Sequence, residues 1–190
     1  GCRVMRYDRI ITGYHGCDAK VAQRVLDGEA FQPSENDYDW LGKGVYFWEY
    51  GADRAYRFAE NQISRGRVTK PAVVGALIQL GACFDLLDTM YTHDLATFYR
   101  RWEAKNRNNG LALPVNAGRA PDHKLRRLDC AVLNQYLEEM GDVSGKSFDT
   151  VRGCFTEGEP IFETSGFRLE SHIQIAVRNP ACIIGVFRPR

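Results

Sequence analysis

Hydrophobic positions along the chain follow two periods, and each period predicts a type of secondary structure. Alternating or nearly continuous apolar residues are typical of β-strands, whereas apolar residues spaced three and four apart are typical of helices. Strands are predicted over residues 9–16, 42–49, 71–80, 149–155, 169–177 and 182–187. Helices are predicted over residues 19–26, 52–63, 88–105 and 122–140. Short strands at both ends of the chain, with helices between them, predict an α+β fold.

Aspartate and glycine mark several of the predicted boundaries. Asp18 can cap the first helix through its side chain, and Gly28 stands where that helix should end. Gly141 is predicted to end the helix over 122–140. The segment 156–168 has neither period, and we expect it to be a mobile loop.

The strand over 169–177 alternates clearly. Ile173, Ile175 and Val177 fall on one face, which we expect to be the core face. The opposite, polar face consists of Glu170, His172 and Gln174. Glu170 therefore heads a strand, and its carboxylate is expected to face a polar groove.

Length and composition predict one domain over residues 1–190. The chain is 44% hydrophobic and 26% charged, as is ordinary for a globular protein. No apolar run approaches the roughly 20 residues that a membrane helix needs. The N-terminal residues lack the apolar region of a secretory signal, so we expect no membrane association and a cytoplasmic location.

Six cysteines are spread along the chain without a Cys-x-x-Cys pair or neighbouring histidines. This spacing predicts reduced thiols, and it favours neither a zinc site nor a disulfide framework.

The segment Gly42–Glu49 has the sequence Gly-Lys-Gly-Val-Tyr-Phe-Trp-Glu. Two glycines allow a close main-chain approach, and the aromatic residues after them supply flat, rigid surfaces. The pattern suits a planar ring or a nucleotide. The alternative is a buried edge strand whose aromatic residues only fill the core.

Three separated segments together resemble a known family. They are Tyr14-His15-Gly16, Gly42–Phe47 and the late strand headed by Glu170. Their order and spacing resemble the His-Tyr-Glu class of ADP-ribosyltransferases, which includes diphtheria toxin and the poly(ADP-ribose) polymerases. The resemblance implies a split mixed or antiparallel β-sheet with flanking helices. Residues 86–150 match no part of the family pattern and would form a helical insertion in this single domain. It also implies a toxin-like enzyme that uses NAD as co-substrate, with an antitoxin or inhibitor as a partner.

The resemblance also implies roles for individual residues. His15 would bind the adenosine ribose of NAD, and the main chain of Gly16 would hold the nicotinamide amide. Tyr46 would pack against the nicotinamide ribose, with Phe47 as a neighbouring aromatic wall. Glu170 would bind that ribose and stabilise the positive charge that develops as the nicotinamide bond breaks. A structural role for each residue taken singly is the alternative.

The helix after the Tyr46 motif departs from the family pattern. Polymerase-type members carry a serine and a ring-stacking tyrosine there, whereas this chain has Arg54 near the serine position and Tyr56 one residue off the tyrosine position. Either Tyr56 stacks on the nicotinamide, or Trp48 or Tyr50 replaces it. The chain shows no further acceptor-binding elements of the kind that polymer elongation needs, so mono-ADP-ribosylation is predicted.

The acceptor is predicted to be a macromolecule, and nucleic acid is slightly favoured over protein. Residues 98–127 contain eight basic and two acidic residues, interleaved with Tyr99, Trp102 and His123, which could stack on bases. Segment 157–167 is the predicted acceptor-facing loop. The alternatives are a solvated charged helix face, an NAD glycohydrolase that uses water, and a non-catalytic module that binds NAD or nucleic acid.

Overall fold

The computed structural model describes residues 6–118, 124–145 and 147–190. The strands are β1 Arg6–Asp18, β2 Val45–Trp48, β3 Pro71–Asp85, β4 Asn116–Ala117, β5 Leu125–Arg126, β6 Thr150–Phe155, β7 His172–Val177 and β8 Ile183–Phe187. The helices are α1 Ala19–Leu26, α2 Ala52–Asn61, α3 Thr89–Asn108 and α4 Arg127–Ser144, with a 3-10 turn at Pro180–Cys182. The predicted α+β class is confirmed.

Six strands form one mixed, mostly antiparallel sheet in the order β1-β2-β7-β6-β3-β8. Strand β1 also pairs with β3, so β1, β2, β7, β6 and β3 close a circuit of strands and β8 lies outside it. The described pairing of β3 with β6 is parallel, and the other pairings are antiparallel. Elements that are distant in the sequence, such as β2 and β7, are thereby neighbours in the sheet.

Two apolar cores lie on opposite faces of this sheet. Alternation along β7 directs Ala176 into a core shared with α3 and α4, and directs Ile175 and Val177 into the other. The first core contains the buried aromatic residues Phe84, Tyr91, Phe98, Tyr136 and Phe148. The predicted assignment of Ile175 and Val177 to one core face is confirmed.

The predicted helical insertion contains α3 and α4, together with the short ribbon of β4 and β5. Helix α4 begins at Arg127 rather than at residue 122, because Leu125 and Arg126 pair with β4. The predicted end at Gly141 is also wrong. Gly141 lies within the helix, and Gly145, which has a left-handed φ of 63°, caps it.

Two other predicted strand boundaries differ from the observed ones. Strand β1 runs on to Asp18, so His15 and Gly16 lie inside the strand rather than at its end. Strand β7 begins at His172, and Glu170 therefore precedes the strand instead of heading it. The predicted cap is confirmed, since Asp18 accepts a hydrogen bond from Lys20 N at 2.9 Å.

The segment predicted as a mobile loop forms a hydrogen-bonded hairpin. Ile161 N donates to Phe167 O at 3.1 Å, and Leu169 N donates to Glu159 O at 3.0 Å. We call residues 157–170 the hairpin. It brings the chain from the end of β6 to the start of β7.

No helix in the described ranges is both long enough and apolar enough to cross a lipid bilayer.

A buried ionic network joins β6 and β3 to Glu49, the residue that follows β2. Arg152 on β6 donates to Glu49 Oε2 at 2.6 Å and to Asp85 Oδ2 at 3.0 Å. The side chains of Arg152 and Glu49 are 7% and 4% exposed. Burial by itself would lower the pKa of Arg152, but its two carboxylate partners raise it, so the guanidinium stays charged.

Replacing Arg152 with methionine should destabilise the protein by about 3–5 kcal/mol, because Asp85 would lose its buried cation and Glu49 would keep only the half-exposed Arg9. Urea unfolding at pH 7 measures this loss. The matched control is Arg9→Met, which removes the half-exposed partner of the same Glu49 and should cost less than about 1 kcal/mol. Equal costs for the two variants would contradict a dominant role for the buried pair.

Candidate functional site

A cavity of about 330 Å³ lies where α2 approaches the hairpin and the start of β7. Its charged walls are Arg54, Arg57 and Glu170. Tyr50 and Cys154 also line it. Two guanidinium groups against one carboxylate make the cavity suited to an anionic ligand that also carries hydroxyl groups.

Arg54 lies between two carboxylates, of which only Glu170 lines the cavity. Its Nη2 atom is 2.7 Å from Glu157 Oε2 and 4.0 Å from Glu170 Oε2. The side chain of Glu157 is 3% exposed, whereas that of Glu170 is 39% exposed. Glu170 is therefore the carboxylate that a ligand can reach.

His172 also lines this cavity. A carbonyl oxygen can only accept, so His172 Nδ1 donates to Glu170 O at 2.8 Å, and Nε2 accepts from Gln174 Nε2 at 2.8 Å. Burial lowers the pKa of His172, although its contacts with Glu170 and Glu157 act in the opposite direction. The neutral ring lines the cavity and stacks on Trp40, with 6.0 Å between the ring centroids.

The insertion contributes cations next to the cavity. The guanidinium of Arg126 lies 4.0 Å from the ring centre of Trp40 and 5.1 Å from that of Phe155, as in cation–π contacts. Lys124 Nζ lies 3.4 Å from Glu157 Oε1. Lys124 and Arg126 thus connect the insertion to Glu157, Trp40 and Phe155.

His15 does not line this cavity. It donates from Nδ1 to Tyr46 O at 2.8 Å, and its ring packs edge-on against Phe31 and lies 5.7 Å from Phe47. Burial lowers the pKa of His15, although the hydrogen bond to Tyr46 raises it. His15 therefore joins β1 to β2 as a neutral, largely apolar-packed ring, and Phe47 is fully buried beside it.

Tyr46 is also engaged away from the cavity. Its hydroxyl donates to Gly42 O at 2.6 Å and accepts from Leu41 N at 2.8 Å, and burial raises its pKa well above the ordinary value. In the sheet Tyr46 pairs with Ala176, whereas Glu170 precedes β7 and belongs to the hairpin. The structure brings His15 and Tyr46 together, whereas Glu170 lines a cavity that neither of them lines.

The Gly-Lys-Gly turn is held by the insertion. Lys43 N donates to Asn134 Oδ1 at 2.9 Å, and a Cβ atom at Gly42 would overlap that same oxygen. The ammonium of Lys43 pairs with Glu35 at 2.6 Å. A close approach explains both glycines, but α4 approaches Gly42 and the main chain of Val177 on β7 approaches Gly44.

Gly16 serves packing in the same way. A Cβ atom at Gly16 would overlap the main-chain oxygen of Ala55, so only glycine lets α2 lie directly on β1. Of the three candidates for a stacking ring, Tyr50 lines the cavity. Trp48 is buried against Phe58, and Tyr56 is 41% exposed and does not line the cavity.

The basic stretch of the insertion is largely neutralised. Arg101 pairs with Glu139, Arg107 with Glu103, and Arg127 with Asp37, at 2.8, 2.8 and 3.1 Å. Tyr99 and Trp102 pack against the first core, and the third predicted stacking residue, His123, lies outside the described residues. Fewer cations of this stretch are therefore unpaired than the sequence alone suggests.

Sequence reasoning missed Glu157 and Arg57 as members of the site. Arg57 follows Arg54 by three positions, so both lie on one face of α2, and this spacing was the available signal. Glu157 carried no such signal, because its burial depends on how the hairpin packs. Within the described ranges no group of three or more metal-ligating side chains is placed to hold an ion.

Replacing Gly16 with alanine should destabilise the protein by about 1–3 kcal/mol or more, because the new methyl group would meet main-chain atoms that cannot rotate away. Thermal unfolding measures the loss. Gly166→Ala is the matched control, since a Cβ atom there meets nothing within 4 Å. An unchanged melting temperature for Gly16→Ala would contradict direct packing of α2 on β1.

Comparisons with known proteins add one relationship. No protein-family model and no solved structure matches this chain. The uncharacterized protein MJ0359 of Methanocaldococcus jannaschii is 44% identical over 200 residues, an alignment that covers 95% of this chain and 87% of the archaeal protein. Because this identity extends over nearly all of both chains, the chain belongs to the family of that archaeal protein.

Proposed function

We propose that the protein binds NAD in the Arg54–Arg57–Glu170 cavity and transfers a single ADP-ribose group to a macromolecular acceptor. The observation that carries the proposal is the half-exposed Glu170 carboxylate facing two guanidinium groups in one cavity. The resemblance of the His15, Tyr46 and Glu170 segments to ADP-ribosyltransferases supports it independently.

Glu170 would act on the sugar. Cleavage of the nicotinamide–ribose bond builds positive charge on the ribose, and a fixed carboxylate beside it stabilises that charge. The hydrogen bond from Glu170 N to Glu157 O, at 3.0 Å, holds the residue in place. Arg54 lies 4.0 Å away, so it attracts the Glu170 carboxylate but makes no hydrogen bond that would block a ligand.

Arg57 would bind the diphosphate. It is exposed, it lines the cavity, and it has no ion-pair partner among the described residues. A guanidinium binds phosphate oxygens through two parallel hydrogen bonds. The ring of Tyr50, 68% exposed at the cavity wall, is the available surface for stacking the nicotinamide.

His15 and Tyr46 take structural roles in this proposal. Their polar atoms already join β1 to β2 and close the turn at Gly42, so they would support the site from a distance. The same observation favours a second candidate function, a nucleotide-binding module without catalysis. Such a module would keep the cavity and its guanidinium groups, but it would release no nicotinamide.

A protein acceptor suits the surface beside the cavity better than a nucleic acid does. The hairpin exposes Ile161, Phe162 and Phe167, and it carries Glu159 and Glu163. Exposed apolar groups fit a protein surface, whereas carboxylates repel a phosphate backbone. The preference for nucleic acid suggested by the sequence is therefore reversed in the proposal.

Glu170→Gln should lower nicotinamide release from NAD roughly 100-fold while leaving the fold intact, because the amide keeps the shape but loses the charge. Labelled NAD, offered with cell protein, RNA and DNA in separate reactions, would follow release and transfer together. Glu60→Gln, which changes an exposed carboxylate near the end of α2 outside the cavity, is the control and should remain active.

The outcomes of that assay separate the candidates. Transfer to protein that is lost in Glu170→Gln would support the proposal. Release without transfer would indicate an NAD glycohydrolase. NAD binding without release would leave the non-catalytic module, and the absence of binding would refute both.

Arg57→Met should weaken NAD binding by about tenfold or more, since it removes charge-assisted hydrogen bonds to the diphosphate. Isothermal titration calorimetry measures the dissociation constant. Arg65→Met, in the turn after α2 and away from the cavity, is the matched control. Equal affinities for the two variants would exclude Arg57 from the diphosphate site.

A further inference from the structure

Glu157 is a buried carboxylate on which three basic side chains converge. Its Oε2 atom lies 2.7 Å from Arg54 Nη2 and 3.4 Å from His172 Nδ1, and its Oε1 atom lies 3.4 Å from Lys124 Nζ. The side chain is 3% exposed, although it belongs to a surface hairpin. A carboxylate at such depth is retained only when cations compensate it, and Arg54 and Lys124 do so here.

Arg54 is shared unequally between its two carboxylates. The side chain is 22% exposed, and its Nη2 atom makes a short hydrogen bond to Glu157 but stands 4.0 Å from Glu170. Coulomb attraction is stronger where water is excluded, so the deeper carboxylate holds the guanidinium more firmly. If Glu157 carried no charge, Glu170 would be the nearest remaining anion for Arg54.

The main chain of Glu157 also holds Glu170, the second carboxylate near Arg54. Its carbonyl oxygen accepts a hydrogen bond from Glu170 N at 3.0 Å. The next residue, Gly158, has a φ of +80°, and a Cβ atom there would come within 3.0 Å of Glu170 Cγ. Glu157 therefore sets the positions of Arg54 through its side chain and of Glu170 through its backbone.

We infer that Glu157 is a positioning residue that keeps Arg54 from closing on Glu170. By holding the guanidinium, Glu157 leaves the Glu170 carboxylate free for the ribose hydroxyls of a ligand, and it leaves Arg54 as a wall of the cavity. The inference rests on the proposed use of this cavity as the NAD site.

The first test requires no ligand. In a crystal structure of Glu157→Gln, Arg54 should move to Glu170, and the 4.0 Å separation of Nη2 from Oε2 should shorten to hydrogen-bond distance. The control is Glu159→Gln, which changes an exposed carboxylate on the same hairpin and should leave the separation unchanged. An unchanged separation in Glu157→Gln would overturn the positioning role.

The second test measures NAD affinity by calorimetry. Glu157→Gln should bind NAD about tenfold more weakly, because the new Arg54–Glu170 pair must open before a ligand can use Glu170. Adding Arg54→Met to Glu157→Gln should restore part of the affinity by freeing Glu170. A merely structural role predicts the reverse, since the double variant would lose a second contact.

The two tests distinguish a failure of the proposed function from a failure of the positioning role. If the wild type does not bind NAD, the proposed function fails, and the Arg54 position in the Glu157→Gln crystal structure still decides the inference. If the wild type binds NAD and Glu157→Gln binds it equally well, the function stands and the positioning role is refuted.

Discussion

Buried guanidinium–carboxylate pairing is the constraint on which this structure depends. Arg152 connects the end of β2, through Glu49, with the end of β3, through Asp85. All three residues are buried, so little water reaches the ion pairs. Removing either charge alone would leave the other desolvated, so the strands are held in one arrangement.

Guanidinium–carboxylate pairing recurs at the cavity, but there only one of the two carboxylates is within hydrogen-bond distance. At Arg152 both carboxylates are within hydrogen-bond distance, and the network is complete. At Arg54 one carboxylate is deep and close, and the other is half-exposed and 4.0 Å away. An incomplete network leaves hydrogen-bonding capacity for a ligand, which distinguishes a site from a structural ion pair.

The insertion is an integral part of the fold rather than an appendage. Asn134 of α4 holds the Gly-Lys-Gly turn, Trp40 donates from Nε1 to Lys124 O at 3.0 Å, and Arg126 covers the ring of Trp40. Glycines that resemble a ligand-binding signature are therefore occupied by the protein itself. A motif of small and aromatic residues indicates a close approach, but it does not indicate what approaches.

Local pattern determined the α+β class, the cap at Asp18, the alternation of β7 and the position of Arg54 near a candidate site. These features depend on neighbours one to four residues apart, and the sequence contains that information directly. The relation of Glu170 to His15 and Tyr46 depends instead on strand register. Tyr46 lies opposite Ala176, whereas Glu170 precedes β7 and lines the cavity with Arg54 and Arg57. Only the tertiary structure decided this, and only it buried Glu157, because register and burial arise from contacts between segments more than a hundred residues apart in the chain.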